Sequence, residues 1–329
     1  MREFRPTRPP RGRLVRLGVV LDTRNDPRRL CEVATMCDRA RIDALWVRDH
    51  GSSAEDPRLE ALTALTLSGL ATSHSRLGAI VNPGLRPPAM LAAVAGTMDV
   101  TFAGRLELGL GDDAGAWDGD RLRHLEAYAT IVRDLLAGAA VTAHGPFVLD
   151  DATIGVPSPQ PGGPRLGLEA MTPEHVAVAV RVADDVLIPA RPVAAVVATA
   201  REIVRVCESA GRPAQSLGIG AILPVSVGRT TAEAHARADA EPYYRVFGHP
   251  AEVGIFGRLE ECQDQLVTLA HGGVTDLRCV LPNSPDVHDV IAQLTSMVVG
   301  STTVLSPDSP RSKAPDPPPW SGGPRALTP

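Results

Sequence analysis

Residues 15–50 read "VRLGVVLDTRNDPRRLCEVATMCDRARIDALWVRDH" and predict a strand, a helix and a second strand in succession. The first run, 15–22, is short, apolar and of strand length. A helix is predicted to follow because Asp26 can cap it and Pro27 suits its first position. Apolar residues then recur at helical spacing, at Leu30, Val33, Cys37 and Ala40. The second strand, 43–50, ends on Arg-Asp-His, so an apolar strand leads directly into polar residues.

The same strand–helix unit recurs along most of the chain. Further strands are predicted at 77–83, 104–113, 164–170, 184–190, 217–228 and 273–282. Helices alternate with them at 56–71, 88–100, 121–138, 172–183, 193–211, 231–240 and 287–299. Eight such units favour an α/β fold in which parallel strands close into a TIM-type (β/α)8 barrel, rather than an open doubly wound sheet.

Three segments fall outside this alternation. Residues 139–163 predict a small β excursion after the fourth helix. Residues 1–13 are charged and Pro-rich, so we expect a flexible N-terminal arm without a secretory signal. Residues 301–329 are rich in Pro and Ser and cannot build a core, so we expect a disordered tail. The barrel is therefore predicted to span residues 14–300.

Composition narrows the classes of function. Hydrophobic residues make up 44% of the chain, enough for a large core, and the net charge of -5 argues against a nucleic-acid partner. The one lysine, Lys313, lies in the expected tail, which excludes a Schiff-base lysine from the barrel. The cysteines lack Cys-x-x-Cys spacing, so we expect free thiols in a reducing cytoplasm. No membrane span or histidine-based metal site is expected.

Five stretches occur in a characteristic order over residues 14–298: "DALWVRDH", "SRLGAIVNPGLRPPAMLAAVAGTMDVTFAGRLELGLG", "HLEAYATIVRDLLAG", "PVSVGRTTAEA" and "GRLEECQDQLVTLAHGGVTDLRCVL". In these stretches the chain resembles the bacterial luciferase-like family of flavin and deazaflavin oxidoreductases, most specifically over 76–111. The resemblance implies a TIM-type barrel, often dimeric, with a flavin or the deazaflavin coenzyme F420 at its C-terminal mouth. Members either insert oxygen with reduced FMN or transfer a hydride from reduced deazaflavin.

Asp49 and His50 lie where a barrel places catalytic groups, at the C-terminal end of a strand. In the deazaflavin members of the family an Asp-His pair here contacts the coenzyme. The resemblance therefore implies that Asp49 binds the cofactor and that His50 donates a proton. An imidazole suits this role near neutral pH, because hydride transfer leaves a carbanion or amide to protonate. The alternative is a polar strand exit in which Asp49 caps the next loop.

The resemblance also assigns roles to the third strand. It implies a cis peptide bond between Ala79 and Ile80, which would bulge behind the central ring of the coenzyme. Such a bond costs about 3 kcal/mol and persists only where its surroundings enforce it. Asn82 would contact the edge of the ring or serve as a turn residue before Pro83. The alternative is an ordinary buried strand.

The fourth strand exit departs from the Gly-rich pattern of the family, because it continues with Asp112 and Asp113. These carboxylates could bind hydroxyl groups of the ribityl chain or the substrate, but they would repel a nearby phosphate. They could equally form a solvated loop. Ala114 replaces the acid that some deazaflavin dehydrogenases use as proton acceptor, which argues against sugar-phosphate dehydrogenase chemistry.

The fifth strand exit also departs from the family, whose Gly-rich turn holds the cofactor phosphate. This chain has Ala170, Met171 and Thr172 at that place. Thr172 followed by Pro173 still predicts a helix N-terminus, which can bind an anion through free N–H groups and the helix dipole. The alternative is simple N-capping of the fifth helix.

Three functions remain open. The first is a reductase that uses reduced F420 to transfer a hydride to an unsaturated or imine-containing small metabolite. The second is a monooxygenase that receives reduced FMN from a separate reductase. The third is a barrel without catalysis that acts as a subunit or ligand binder. For the enzymes we expect a homodimer in the cytoplasm, in specialised metabolism.

Overall fold

The structure is a computed structural model and describes residues 9, 13–24, 26–49, 57–111, 120–156, 158–241, 244, 252–281 and 287–301. Within these residues there are eleven β-strands: β1 (Arg16–Val20), β2 (Ala44–Arg48), β3 (Arg76–Val81), β4 (Leu106–Leu110), β5 (Val141–His144), β6 (Val148–Ala152), β7 (Arg165–Glu169), β8 (Asp185–Ile188), β9 (Gly218–Val227), β10 (Ile255–Gly257) and β11 (Asp276–Val280).

Eight of these strands form a closed parallel barrel in the order β1, β2, β3, β4, β7, β8, β9 and β11. The ring is closed because β11 pairs with β1, with Asp276 opposite Arg16, and because β8 pairs with β9, with Asp185 opposite Gly218. The barrel predicted from the sequence is therefore confirmed, and an open sheet is excluded. The predicted excursion contains the antiparallel hairpin of β5 and β6, which forms a sheet of its own.

The described residues also contain nine α-helices: α1 (Pro27–Arg39), α2 (Ala61–Leu70), α3 (Pro88–Thr101), α4 (Arg121–Leu136), α5 (Pro173–Val182), α6 (Val193–Ser209), α7 (Thr231–Asp239), α8 (Leu259–His271) and α9 (Val287–Ser301). Side-chain caps explain several starts. The Asp26 carboxylate accepts hydrogen bonds from the backbone N–H groups of Arg28 and Arg29 at the start of α1. The Thr230 hydroxyl does the same for Glu233 in α7.

Two helical predictions need correction. The sequence predicts the second helix from residue 56, yet α2 begins at Ala61, because the Glu60 carboxylate accepts the hydrogen bond of the Thr63 N–H and caps the helix there. The seventh unit is predicted to begin with one helix at 231–240. It also contains β10 and α8, and β10 extends the pairing of β9 beyond the barrel.

The peptide bond between Ala79 and Ile80 is trans, as is every described peptide bond, so the expected cis bond is wrong. The reason lies in the regular pairing of β3 on both sides. Ala79 and Ile80 stand opposite Val47 and Arg48 on β2. They also pair in register with β4 on the other side. An uninterrupted ladder on both edges leaves no bulge, so β3 is the ordinary buried strand of the alternative prediction.

The interior of the barrel is filled by side chains, and Trp46 is the largest of them. A Cβ atom at Gly18 or Gly78, on the flanking strands, would lie 3.1 or 2.2 Å from atoms of the Trp46 ring, so glycine makes room for the indole. The Arg278 guanidinium stacks on this ring at 3.7 Å from its centroid. Since the interior is packed, space for a ligand must lie at an end of the barrel.

The N-terminal end of the barrel is sealed by buried ion pairs. The Glu107 carboxylate accepts hydrogen bonds from Arg16 at 3.0 Å and from Arg76 at 2.5 Å. Arg165 pairs with Asp185 at 2.8 Å. Burial opposes the charge of Glu107, but the surrounding guanidinium groups outweigh it and lower its pKa to about 2. This end is therefore a structural layer, and the opposite end carries the strand exits.

No helix in the described part of the chain has both the length and the apolar character needed to cross a membrane. Within the same residues, no three potential metal-binding side chains of His, Cys, Asp or Glu meet. The described cysteines are all free thiols, and burial raises the pKa of Cys37 and Cys262 to about 12. Neither thiol is therefore a thiolate near neutral pH.

Candidate active site

The candidate site is the C-terminal mouth of the barrel, where the parallel strands all end. Charged or amide side chains stand at or shortly after the ends of several barrel strands, among them Asp49 after β2, Asn82 after β3, Glu169 at the end of β7 and Arg191 after β8. In a packed parallel barrel these exits are the places where a rigid backbone can present polar groups to a ligand. The contacts of each exit decide what the mouth can bind.

Asp49 continues the ladder of β2, because its N–H donates to the Ile80 carbonyl at 2.8 Å. Its carboxylate accepts the backbone N–H of Asn82 at 2.9 Å and the Arg86 Nη1 at 2.5 Å. Only 5% of the Asp49 side chain is exposed. The carboxylate is thus a fixed, paired group that ties the exits of β2 and β3 together.

Arg86 extends this connection to two helices. Its guanidinium also pairs with Glu60, the capping residue of α2, and its carbonyl accepts the Tyr128 hydroxyl of α4 at 2.9 Å. Burial alone would lower the pKa of Arg86, but Asp49 and Glu60 raise it above its usual value. The backbone around the mouth is therefore held by one chain of contacts that runs from Asp49 through Arg86 to α2 and α4.

Arg48, the last residue of β2, forms the widest connection across the mouth. Its Nη1 and Nη2 donate to the two carboxylate oxygens of Glu169 on β7, at 2.5 and 2.7 Å. The Glu169 side chain is 1% exposed and that of Arg48 is 25% exposed. Gly111 lies under the pair, since a Cβ atom there would sit 3.3 Å from a Glu169 carboxylate oxygen. The pair thus covers the exits of β3 and β4 and leaves part of the guanidinium open to the mouth.

The turn after β7 holds the residues expected to bind phosphate. Ala170 is buried and donates its N–H to the Leu187 carbonyl, whereas the side chain of Met171 is 50% exposed. The Thr172 hydroxyl donates to the Glu174 carboxylate at 2.6 Å and lies 2.9 Å from His175 Nδ1. An acid at this helix start and an engaged hydroxyl do not favour a phosphate here.

The side of the mouth formed by β9, β11 and β1 is closed by another set of contacts. The Tyr244 hydroxyl lies 2.9 Å from the carbonyl oxygens of Val225 and Val280, and its ring packs 6.0 Å from that of Phe256. Arg24 bridges Asp22, after β1, and Glu241 at 2.8 and 3.1 Å. We place the candidate site in the remaining sector of the mouth, above β2, β3, β4, β7 and β8, and call it the candidate sector.

Arg191 follows β8 at the edge of the candidate sector and is half-buried. Its Nε donates to the Pro189 carbonyl at 3.3 Å and its Nη1 to the Thr199 hydroxyl at 3.2 Å. Both acceptors are neutral. Burial lowers the pKa of Arg191, and the nearby charge of Glu169 only partly opposes this effect. These hydrogen bonds therefore hold the guanidinium group in one orientation. No carboxylate among the described residues forms an ion pair with it.

The structure describes some of the predicted site residues and not others. The structure brings Asp49 and Asn82 into direct contact, and it places Ile80 in the barrel interior while Ala79 faces the outer core. His50, Asp112 and Asp113 lie outside the described residues, so their roles remain predictions. Sequence reasoning missed four charged residues of the mouth: Arg48, Arg86, Glu169 and Arg191. Arg48, Glu169 and Arg191 lie at or shortly after the ends of predicted strands, and this position could have identified them as candidates; Arg86 gave no such signal.

Comparisons with known proteins agree with the barrel fold. The model of the family described as luciferase-like monooxygenase matches residues 14–276. A 5,10-methylenetetrahydromethanopterin reductase of Methanolobus tindarius is 25% identical over 232 residues, which cover 68% of each chain.

Two solved structures share the fold. The coenzyme F420-dependent tetrahydromethanopterin reductase of Methanopyrus kandleri has a TM-score of 0.73 at 19% identity, over 87% of this chain and 99% of that one. A monooxygenase of Streptomyces bottropensis has a TM-score of 0.75 at 16% identity, over 87% and 99%. Since the family model covers most of the barrel and these structures share its architecture, the chain belongs to the luciferase-like monooxygenase family, whose members are oxidoreductases or monooxygenases.

Proposed function

We propose that this chain is a reductase that uses reduced F420 to transfer a hydride to an unsaturated or imine-containing small metabolite. The observation that carries the proposal is the placement of Asp49. Its backbone is fixed by the strand ladder and its carboxylate by Arg86, so the next residue, His50, follows a rigid strand end at the mouth. The names of the Methanolobus relative and of the Methanopyrus enzyme support a reductase over other activities of the family.

The charges of the mouth fit an anionic cofactor in part. A quarter of the Arg48 side chain is exposed, and Arg191 has no carboxylate partner among the described residues. Guanidinium groups suit the phosphate and the electron-rich ring of a reduced flavin or deazaflavin. Two features do not fit the phosphate-binding turn and the strand bulge that the family resemblance implies. The turn at Thr172 presents an acid, and β3 has no bulge behind a ring.

In this proposal the residues of the chain have distinct tasks. Reduced F420 supplies the hydride when bound. His50 donates the proton that the reduced substrate needs, and Asp49, the residue before it, is held in place by Arg86. Arg48 and Glu169 form the floor of the mouth above the packed barrel interior. The substrate lies in the candidate sector above β2, β3, β4, β7 and β8.

The second candidate is a monooxygenase supplied with reduced FMN by a separate reductase. The monooxygenase from Streptomyces bottropensis supports it, because its barrel covers as much of this chain as the reductase does. The regular pairing of β3, which has no bulge, also removes one reason to prefer a deazaflavin. The third candidate, a barrel that acts as a subunit or binds ligands without catalysis, is supported by the departures from the family pattern at Asp112, Asp113, Ala170 and Met171.

Titration of the purified protein with F420 and FMN, each oxidised and reduced, separates the three candidates. We expect reduced F420 to bind tightly, with a change in absorbance that saturates, and FMN to bind at least tenfold more weakly. Tighter binding of reduced FMN, with oxygen consumption, would establish the monooxygenase instead. Binding of none of the four species would leave the third candidate.

A further inference from the structure

The arginines of the mouth fall into two groups according to their partners. Arg24 pairs with Asp22 and Glu241, Arg48 pairs with Glu169, and Arg86 pairs with Asp49 and Glu60. Each of these three charges is matched by at least one carboxylate within hydrogen-bonding distance. Arg191 differs, because its two protein acceptors, a carbonyl and a hydroxyl, are neutral. Its contacts fix the direction of the guanidinium without neutralising it.

The geometry of Arg191 leaves one edge of the guanidinium available. Nε and Nη1 are held by Pro189 and Thr199, while Nη2 donates to no described residue. The side chain is half-buried, so its charge is partly removed from water. A desolvated cation that is already oriented binds an oxyanion more favourably than a mobile surface arginine, because less conformational freedom is lost.

The acids at the end of β7 and at the start of α5 are engaged by other partners and do not pair with Arg191. Glu169, one strand away on β7, accepts two hydrogen bonds from Arg48 and is nearly inaccessible. Glu174 binds the Thr172 hydroxyl at the start of α5. With one buried carboxylate between two guanidinium groups, the corner formed by Arg48, Glu169 and Arg191 carries a net positive charge.

We propose that Arg191 binds the phosphate of the cofactor, in place of the Gly-rich turn that this chain lacks after β7. The inference rests on the proposed function, since it requires a flavin or deazaflavin at the mouth. The phosphate is then bound at the exit of β8 and not at the turn formed by residues 170–172. One bidentate or single charge-assisted contact then replaces several backbone N–H contacts.

The test compares cofactors with and without the phosphate, and FMN and riboflavin form the pair that differs in this group alone. FMN is compared with riboflavin, and F420 with its phosphate-free deazaflavin core, by equilibrium binding to the parent protein and to Arg191→Gln. We expect the variant to bind FMN and F420 about 10- to 100-fold more weakly, while both phosphate-free compounds change less than about twofold. Inorganic phosphate should compete with FMN for the parent and lose this effect in the variant.

Two further variants sharpen the result. Arg191→Lys keeps the positive charge but lacks the planar set of N–H donors of a guanidinium group. Its affinity for FMN should therefore lie between those of the parent and Arg191→Gln. Arg205→Gln removes an arginine of α6, the helix that follows Arg191; this side chain is 69% exposed and paired with Glu202, and its loss should change nothing. Thermal unfolding of each variant confirms that the fold is retained.

The possible failures are distinct. If Arg191→Gln weakens FMN and riboflavin equally, or neither of them, the phosphate is held elsewhere and the inference is overturned while the proposed function stands. If the parent binds none of the four compounds, the proposed function and this inference fail together.

Discussion

Arg48 and Glu169 are joined by two hydrogen bonds although the strands β3 and β4 lie between them in the barrel. The pair connects the last residue of β2 to the last residue of β7. The carboxylate is buried and the guanidinium is partly open to the mouth. The Arg48–Glu169 pair therefore closes the end of the barrel interior and also provides a positively charged group at the candidate site.

Arg48→Met should destabilise the protein, because it leaves the Glu169 carboxylate buried without a counterion. We expect a loss of about 3 kcal/mol in the free energy of unfolding, measured by urea denaturation. Adding Glu169→Leu to this variant should recover most of the loss. Arg181→Met is the matched control, since its pair with Glu126 is exposed and should contribute less than about 1 kcal/mol. Equal effects of Arg48→Met and the control would contradict a buried pair.

The stability of the protein at acidic pH should depend on Asp38, near the end of α1. Its carboxylate accepts the backbone N–H groups of Ser73, His74 and Ser75, which lead into β3. Burial opposes the charge, but these hydrogen bonds outweigh it and lower the pKa from 3.8 to about 2. A lowered pKa means that the stabilisation is complete above about pH 4 and is lost as the pH falls towards 2.

Asp38→Asn tests this dependence by urea denaturation at a series of pH values. At pH 6 the variant should be less stable than the parent by about 2 kcal/mol, and the difference should shrink as the pH falls from 4 to 2. Asp264→Asn is the control, since Asp264 is exposed on α8. A difference that stays constant over this range would mean that the charge of Asp38 is not what stabilises the loop.

The fold was predictable because its signals are local. Apolar runs of strand length and helices opened by Asp-Pro recur along the sequence, and each unit packs on the next. The start of α2 was misplaced because Glu60 competes with the Asp-Pro signal as its cap. The cis bond at Ala79 was taken from the family and not from the residues, and regular pairing of β3 overrides it.

The candidate site was less predictable, because its contacts join residues far apart in sequence. The pair of Arg48 and Glu169 spans 121 positions, and the pair of Asp49 and Arg86 spans 37. Strand exits can be located from the sequence, but the partner of each charge cannot. Arg191 illustrates the limit, since its importance depends on the carboxylates that do not reach it.

A second copy of the chain should bind the outer faces of α2 and α3. No charged residue occurs in α2, and the one in α3, Asp99, is buried and bonded to Ser158 and Gln160. Large apolar side chains are exposed on or beside these helices, namely Leu70, Leu85, Met90 and Val100. A groove of about 410 Å³ between the helices is lined by Thr66, Ala93, Val94, Thr97, Met98, Thr101 and Phe102.

An uncharged face of this kind is best covered by an equally uncharged one, which a twofold homodimer supplies. Light scattering after size exclusion should give a dimer for the parent and a monomer for Met90→Glu. Ala232→Glu, on the exposed side of α7, should leave the dimer intact. A monomeric parent would refute the homodimer.

His50→Ala should lower turnover by about 10² or more while the fold is retained, because the variant lacks the general acid of the proposed reaction. The rate is followed by the return of oxidised F420 absorbance with a simple enone as acceptor. Asp49→Ala should instead weaken cofactor binding, since it releases Arg86 and the backbone of Asn82 from the strand exit. His144→Ala is the control, because His144 is exposed in the hairpin of β5 and β6. If both mouth variants bind and turn over like the parent, Asp49 and His50 are only a polar strand exit.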